Sequence, residues 1–181
     1  MTTALLVIDM QGFVAARTAA GRERVNPQAE ERTADLLALF RARGLPVIHV
    51  HHDEPGSPVT LGQPDGAVLA CAAPAPGETV LTKSASSAFT GTGLDALLRG
   101  QGIDRIVLTG AVAAFCVTST TRAASDLGYR VILPQDAVVG FDLPRPDGSR
   151  IPAATVLDVT LTLLGADFAQ VMPAAQVAAR L

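Results

Sequence analysis

A chain of 181 residues is long enough for one domain with a full hydrophobic core. Hydrophobic residues make up 49% and charged residues 17%, which excludes a disordered chain, and the net charge of -3 without any Lys/Arg cluster argues against nucleic acid or an anionic membrane as partner. No apolar stretch is long enough to span a bilayer, and the start (Met1 to Leu5) lacks the basic region of a signal peptide, so a cytoplasmic protein is expected.

Ala4 to Asp9 is a continuous apolar run ending in an acid, the pattern of a strand buried on both faces. Asn26-Pro27 offers an N-cap and a first helical residue, with Thr33, Leu36, Leu37 and Phe40 at helical spacing and Gly44 as the stop. Pro46 to Val50 reads as a second buried strand. From His51 to Gly77 the chain is rich in Pro and Gly and long for a plain connection, which suggests a functional loop or lid. Thr79 to Thr82 is a short strand, and Leu94, Leu97 and Leu98 mark a short helix ended by Gly100 or Gly102. Arg105 to Thr109 is the next strand. Val117, Thr121, Ala124 and Leu127 share a helix face, followed by Gly128 at C′. Tyr129 to Leu133 is a strand, Val138 to Ser149 a loop, and Pro152 opens a helix with Leu157, Leu161 and Leu164 on one stripe and Gly165 at its end. Phe168 to Val171 is a last strand, and a short helix follows from Ala174.

Strands alternate with helices throughout, as in a parallel sheet covered on both faces and wound by right-handed crossovers. Ligands in such sheets sit beyond the carboxyl ends of the strands, near the point where strand order reverses. Three reactive residues fall there. Asp9 closes the first strand, Lys83 follows Thr79 to Thr82, and Cys116 follows the strand ending at Thr109, at a helix start. If the first and fourth of these strands are neighbours, Asp9 and Cys116 meet. A helix N-terminus and a nearby ammonium would favour a thiolate, and a carboxylate could take the thiol proton. Acid, amine and thiol together can run nucleophilic acyl transfer without histidine or metal. Each residue also has a plain alternative: Asp9 as a turn cap, Lys83 as a solvated charge, Cys116 as a small core residue. Spacing alone leaves that choice open.

The stretches LLVIDMQGF, TKSASSAF and LTGAVAAFCVTSTTRAASDLGYRV resemble those of the isochorismatase-like cysteine hydrolases, in the same order and over most of the chain. The resemblance implies a Rossmann-like three-layer α/β/α sandwich with a mainly parallel sheet, as one domain over residues 1–181. It also implies a catalytic triad of Asp9, Lys83 and Cys116. A non-proline cis peptide at Ala111-Val112 would aim the backbone N–H groups of Val112 and Cys116 at one oxyanion. True isochorismatases, which cleave a vinyl ether, carry an acid in place of the thiol, so Cys116 favours hydrolysis of an amide, ureido or related C–N bond through a thioester. Vinyl-ether hydrolysis, or a weakly active or noncatalytic nucleotide-binding module, are the alternatives. Against such a module, the first strand-helix turn has no G-x-G-x-x-G. A small-molecule substrate and a homo-oligomer, dimer or tetramer, are expected from the same resemblance.

The loop before the cysteine departs from the family pattern: Ala113-Ala114 stands where relatives commonly have Thr-Asn or Thr-Asp. Gln11, Phe13, His52, Phe89 and Phe115 are candidate pocket residues, with Gln11 also placed to orient the lysine or the acid. His49 is expected in the strand core. The crowded HVHHDE segment does not match the metal-binding pattern of nicotinamidases, and no Cys/His zinc spacing exists, so neither a metal nor a cofactor is expected. Cys71 and Cys116 are expected to be free thiols.

Overall fold

A computed structural model describes residues 2–181. In chain order the elements are β1 (Thr2–Ile8), α1 (Phe13–Ala19), β2 (Arg24–Val25), α2 (Ala29–Ala42), β3 (Val47–His52), β4 (Thr79–Lys83), α3 (Leu94–Gly100), β5 (Ile103–Ala111), α4 (Thr118–Asp126), β6 (Arg130–Pro134), β7 (Val138–Phe141), β8 (Leu143–Pro144), β9 (Arg150–Ile151), α5 (Ala153–Asp167) and β10 (Gln170–Met172). The main sheet runs β10-β6-β5-β1-β3-β4, and the pairs along this path are all parallel. Strand order reverses between β1 and β5, which makes that junction the switch point of a doubly wound sheet.

Side-chain alternation along the strands divides the core into two layers. Leu5 and Val7 of β1 pack with Phe13 and Val14 of α1 and Leu36, Leu37 and Phe40 of α2. Ala4, Leu6 and Ile8 face the other way, onto Leu94 and Leu98 of α3, Ala124 of α4 and Leu164 of α5. A strand buried on both faces has no polar alternation, which is why ALLVI reads as one apolar run. The result is the expected three-layer α/β/α sandwich.

Several local expectations need correction. Asn26 does not cap α2. It takes φ +53°, and its amide donates to the carbonyls of Gln135 (2.7 Å) and Val138 (2.8 Å), so the helix starts two residues after Pro27. The segment 138–141 is a buried strand rather than loop, paired with the end of β5 and with β2. The helix α1 carries too short an apolar stripe to show by periodicity. Gly165 does not end α5. A Cβ there would lie 3.3 Å from Val171 Cγ2, so close packing accounts for this glycine. Leu127 lies just past α4 and is exposed.

Gly110 sits at the switch point, paired with Ile8, at φ +132°. A Cβ added there would lie 1.9 Å from the Ile8 carbonyl oxygen, so no side chain fits between β1 and β5. Gly110→Ala is therefore expected to lower unfolding stability by about 4 kcal/mol or more, or to leave no soluble protein. Gly128→Ala, at φ +90° with nothing within 4 Å of the new Cβ, is the control and should cost about 1–2 kcal/mol. Urea denaturation of both variants checks the contrast.

Candidate active site

The ends of β1, β3 and β5 open onto one cavity of about 230 Å³. Asp9 is the first residue past β1 and adopts φ +51°, a conformation that aspartate tolerates better than most residues. Its N–H is held by the Val50 carbonyl of β3 at 2.9 Å, and its carbonyl accepts the Gln11 N–H at 2.9 Å. Lys83 is the last residue of β4, paired in register with His52 of β3. β3 lies between β4 and β1, so the long lysine stem has to cross roughly two strand spacings, about 10 Å, to reach Asp9.

Lys83 Nζ is buried and meets three acceptors. It donates to Asp9 Oδ2 at 2.7 Å, to His52 Nδ1 at 3.2 Å and to Cys116 Sγ at 3.4 Å. An ammonium has three N–H bonds and accepts none, so this set uses all of them. Nδ1 of His52 must then be the acceptor, which puts the ring proton on Nε2, 3.8 Å from Glu54 Oε2. Asp9 Oδ1 is buried without a hydrogen-bond partner.

Cys116 lies in a single π-turn (Ala113–Val117) between β5 and α4. The Ala111–Val112 peptide is cis. The Val112 carbonyl accepts the N–H groups of Phe115 (2.9 Å) and Val117 (3.3 Å), and Thr118 Oγ1 donates to the Ala113 carbonyl at 2.7 Å. Backbone and Thr118 thus hold the turn that Ala113 and Ala114 cannot hold with side chains. Ala113 is fully buried.

Electrostatics depart from one expectation. Burial pushes the Cys116 thiol up to about 12; the Asp9 charge adds to the rise and Lys83 opposes it. The resting sulfur is a thiol, not the thiolate that a helix start and a lysine would favour. Burial is the main reason, and Lys83, paired with a carboxylate at 2.7 Å, does not offset it. Burial also raises Asp9, with Lys83 pulling it back. A raised carboxylate pKa means a stronger base facing the thiol.

Of the expected pocket residues, Phe13, His52 and Phe115 line the cavity, as do Val112, Asp9 and Cys116. Gln11 does not. It is fully buried and clasps the backbone of His52, donating to its carbonyl at 2.9 Å and accepting its N–H at 2.8 Å, while also donating to the Gly66 carbonyl at 2.8 Å. Phe89 also lies elsewhere, its ring stacked on Tyr129 at 5.8 Å against the second core layer. His49 is buried and bonds Glu78 at 2.9 Å, while His52 turns toward Lys83, so HVHHDE spreads over both faces of β3. Three lining residues are not singled out by the sequence reading, Arg17, Glu54 and Val59, although the last two lie in the loop of residues 52–78 that the sequence marks as shaping the pocket. Arg17 stands four residues after Phe13 on α1 and was recoverable only once α1 was recognised.

The sequence pattern of the isochorismatase domain matches residues 3–149. The chain belongs to the isochorismatase family. It is 31% identical over 171 residues to the isochorismatase family protein YrdC of Bacillus subtilis, covering 93% of this chain and 90% of that protein. It is 37% identical over 155 residues to a maleamate amidohydrolase of Pseudomonas putida, covering 75% of this chain and 71% of that one. Among solved structures, a hydrolase described as of the isochorismatase family from Chromobacterium violaceum superposes with a TM-score of 0.92 at 40% identity, covering 98% of this chain and 92% of the other.

The charge arrangement predicts the pH profile of Cys116 alkylation. With the thiol near 12, the iodoacetamide rate at Cys116, followed by peptide mass spectrometry, should still be rising at pH 10 and show no plateau near neutrality. Asp9→Asn removes the charge that raises the thiol and leaves Lys83 uncompensated beside it, so the profile should move to lower pH. A plateau below pH 8 in the parent protein, or an unshifted profile in the variant, contradicts this picture.

Proposed function

We propose that this isochorismatase-family protein is a cysteine-dependent hydrolase of a C–N bond in a small carboxamide or ureido compound. The observation that carries the reading is Cys116 Sγ, 3.4 Å from an ammonium paired with a buried carboxylate, at the wall of a small cavity. The named amidohydrolase among its relatives supports the bond type.

The proposed path conserves every proton. Substrate enters with its carbonyl carbon over Cys116. The thiol proton moves to Asp9 as sulfur attacks. A thiol near 12 and a carboxylate are far apart in basicity, so free thiolate is not formed first. Proton transfer and C–S bond formation proceed together, and burial of Asp9 narrows the gap. The carbonyl oxygen gains negative charge, which the backbone N–H groups of Val112 and Cys116 stabilise. The tetrahedral adduct then collapses. The C–N bond breaks, Asp9 returns its proton to nitrogen, and ammonia or an amine leaves. Water, losing a proton to Asp9, attacks the thioester. The second adduct expels sulfur, which takes that proton back, and the product is a carboxylic acid or a carbamate. Lys83 holds Asp9 and the sulfur in place throughout.

A vinyl-ether reaction needs an acid that protonates carbon. The cavity presents a thiol above the usual range in the position where the resemblance puts that acid, which favours acyl transfer.

In an ammonia-release screen over small amides and ureido compounds, Cys116→Ala should lose about 10³-fold or more of kcat/KM while keeping the parent's circular dichroism and melting behaviour. Cys116→Ser should retain little, because an alkoxide is harder to form than a thiolate. Undiminished ammonia release by Cys116→Ala would overturn the mechanism.

A further inference from the structure

Arg17, Arg43, Arg105, Arg122, Arg145 and Arg180 form no ion pair among the described residues, and of these Arg17 is the one that lines the cavity holding Cys116. Arg22, Arg24, Arg41, Arg99, Arg130 and Arg150 each hold a carboxylate. Arg17 lines the cavity that contains Cys116, yet among the described residues no carboxylate lies within 4 Å of it, and no acceptor takes its N–H groups. It is nevertheless held in place. Its guanidinium lies over the Phe13 ring at 5.0 Å and is 5.9 Å from the centre of the Phe141 ring. Phe13 is four residues earlier on the same helix, so α1 presents ring and cation on one face.

The other charges of the cavity are accounted for. Asp9 and Lys83 neutralise each other at 2.7 Å, and Glu54 faces His52 Nε2 at 3.8 Å. The nearby Arg22 is engaged by Asp142. Arg17 is thus the cation of the wall that forms no ion pair among the described residues, Asp65 attracting it only from beyond contact, and its neighbours on the wall include the apolar Phe13, Val59, Val112 and Phe115. Resting on the proposed C–N hydrolysis, we infer that Arg17 is the anion-recognition residue of the cavity, and that its substrates are small carboxamides or ureido compounds that also carry a carboxylate.

The anion fits a carboxylate better than a phosphate. A planar guanidinium matches a carboxylate edge with two parallel N–H bonds. No second free cation backs it, and Glu54 on the same wall repels additional negative charge. A volume of about 230 Å³ suits a molecule of a few carbons with the acid and the scissile carbonyl at its two ends.

The test reads binding, so it does not depend on turnover. Cys116→Ser protein is titrated calorimetrically with a panel of N-carbamoyl amino acids and dicarboxylate monoamides, and with their methyl esters. The acids should bind at least about tenfold more tightly than the matching esters, as a charge-assisted pair predicts. In Cys116→Ser combined with Arg17→Gln, that ratio should collapse to below about threefold, with partial recovery for Arg17→Lys. Equal binding of acid and ester, a preference that survives Arg17→Gln, or no acid bound at millimolar concentration would each overturn the assignment. The parallel ammonia assay on the parent protein reports separately on the hydrolase reading. Acid-selective binding without turnover would leave Arg17 standing and remove the enzyme.

Discussion

The ion pair between Lys83 and Asp9 is the constraint on which the site depends. Both side chains are almost wholly out of water, at 0% and 2% exposure. Neither charge could be buried alone without a cost of several kcal/mol. The pair therefore fixes three things together. It draws the lysine stem from β4 past the end of β3, it holds the turn at Asp9 in a positive-φ conformation, and it sets an ammonium proton toward the sulfur of Cys116. Sheet order makes this possible. With β1 between β3 and β5, the carboxylate stands between the strand nearest the lysine and the strand that delivers the cysteine. Gly110 lets β5 approach β1 closely enough for that.

The same pairing controls the sulfur. A lysine facing a lone thiol would draw it toward the thiolate. Here the lysine is neutralised, and burial and the carboxylate together keep the proton on sulfur. The resting site then carries no net charge at its floor and no exposed thiolate open to oxidants. In the proposed reaction, reactivity is conditional on a carbonyl that can accept electron density as the proton leaves. His52 contributes through its geometry. It fills the third ammonium bond, and Gln11 grips its backbone from both N–H and C=O. The polar groups nearest the sulfur are thus placed by neighbours rather than by solvent.

Much of this was legible in the sequence where the signal is local and covalent order suffices. Buried parallel strands announce themselves as apolar runs, so β1, β3 and β5 were readable, and the residues at their ends followed. What the sequence hid was direction. Gln11 and Phe89 stand beside site residues in the chain and look equally available. Gln11 turns inward to satisfy backbone groups of a strand end and the loop at Gly66, while Phe89 turns to Tyr129. One-residue steps decide such orientations, and they depend on the far partner. Asn26 failed as a cap for a like reason: two carbonyls from residues 135 and 138 outcompeted the helix start. The segment 138–141 reads as loop from its glycine, but Gly140 is there because Val25 Cγ2 would lie 2.8 Å from a Cβ.

The cavity divides its work between two kinds of element. Its floor is made by strand ends, whose positions the whole sheet fixes. Its wall comes from α1 and the loop after β3, which supply Phe13, Arg17, Glu54 and Val59. Chemistry needs ångström precision in the relation of sulfur, carboxylate and ammonium, and a central parallel sheet supplies that rigidity. Selection among substrates needs only a charge and a shape at some distance from the carbonyl. A helix face at i and i+4 can change either without disturbing the sheet. That separation explains why an arginine without a protein partner can be held at the rim of the cavity. Phe13 and Phe141 orient it, the sheet does not depend on it, and its hydrogen-bonding groups stay open to what enters.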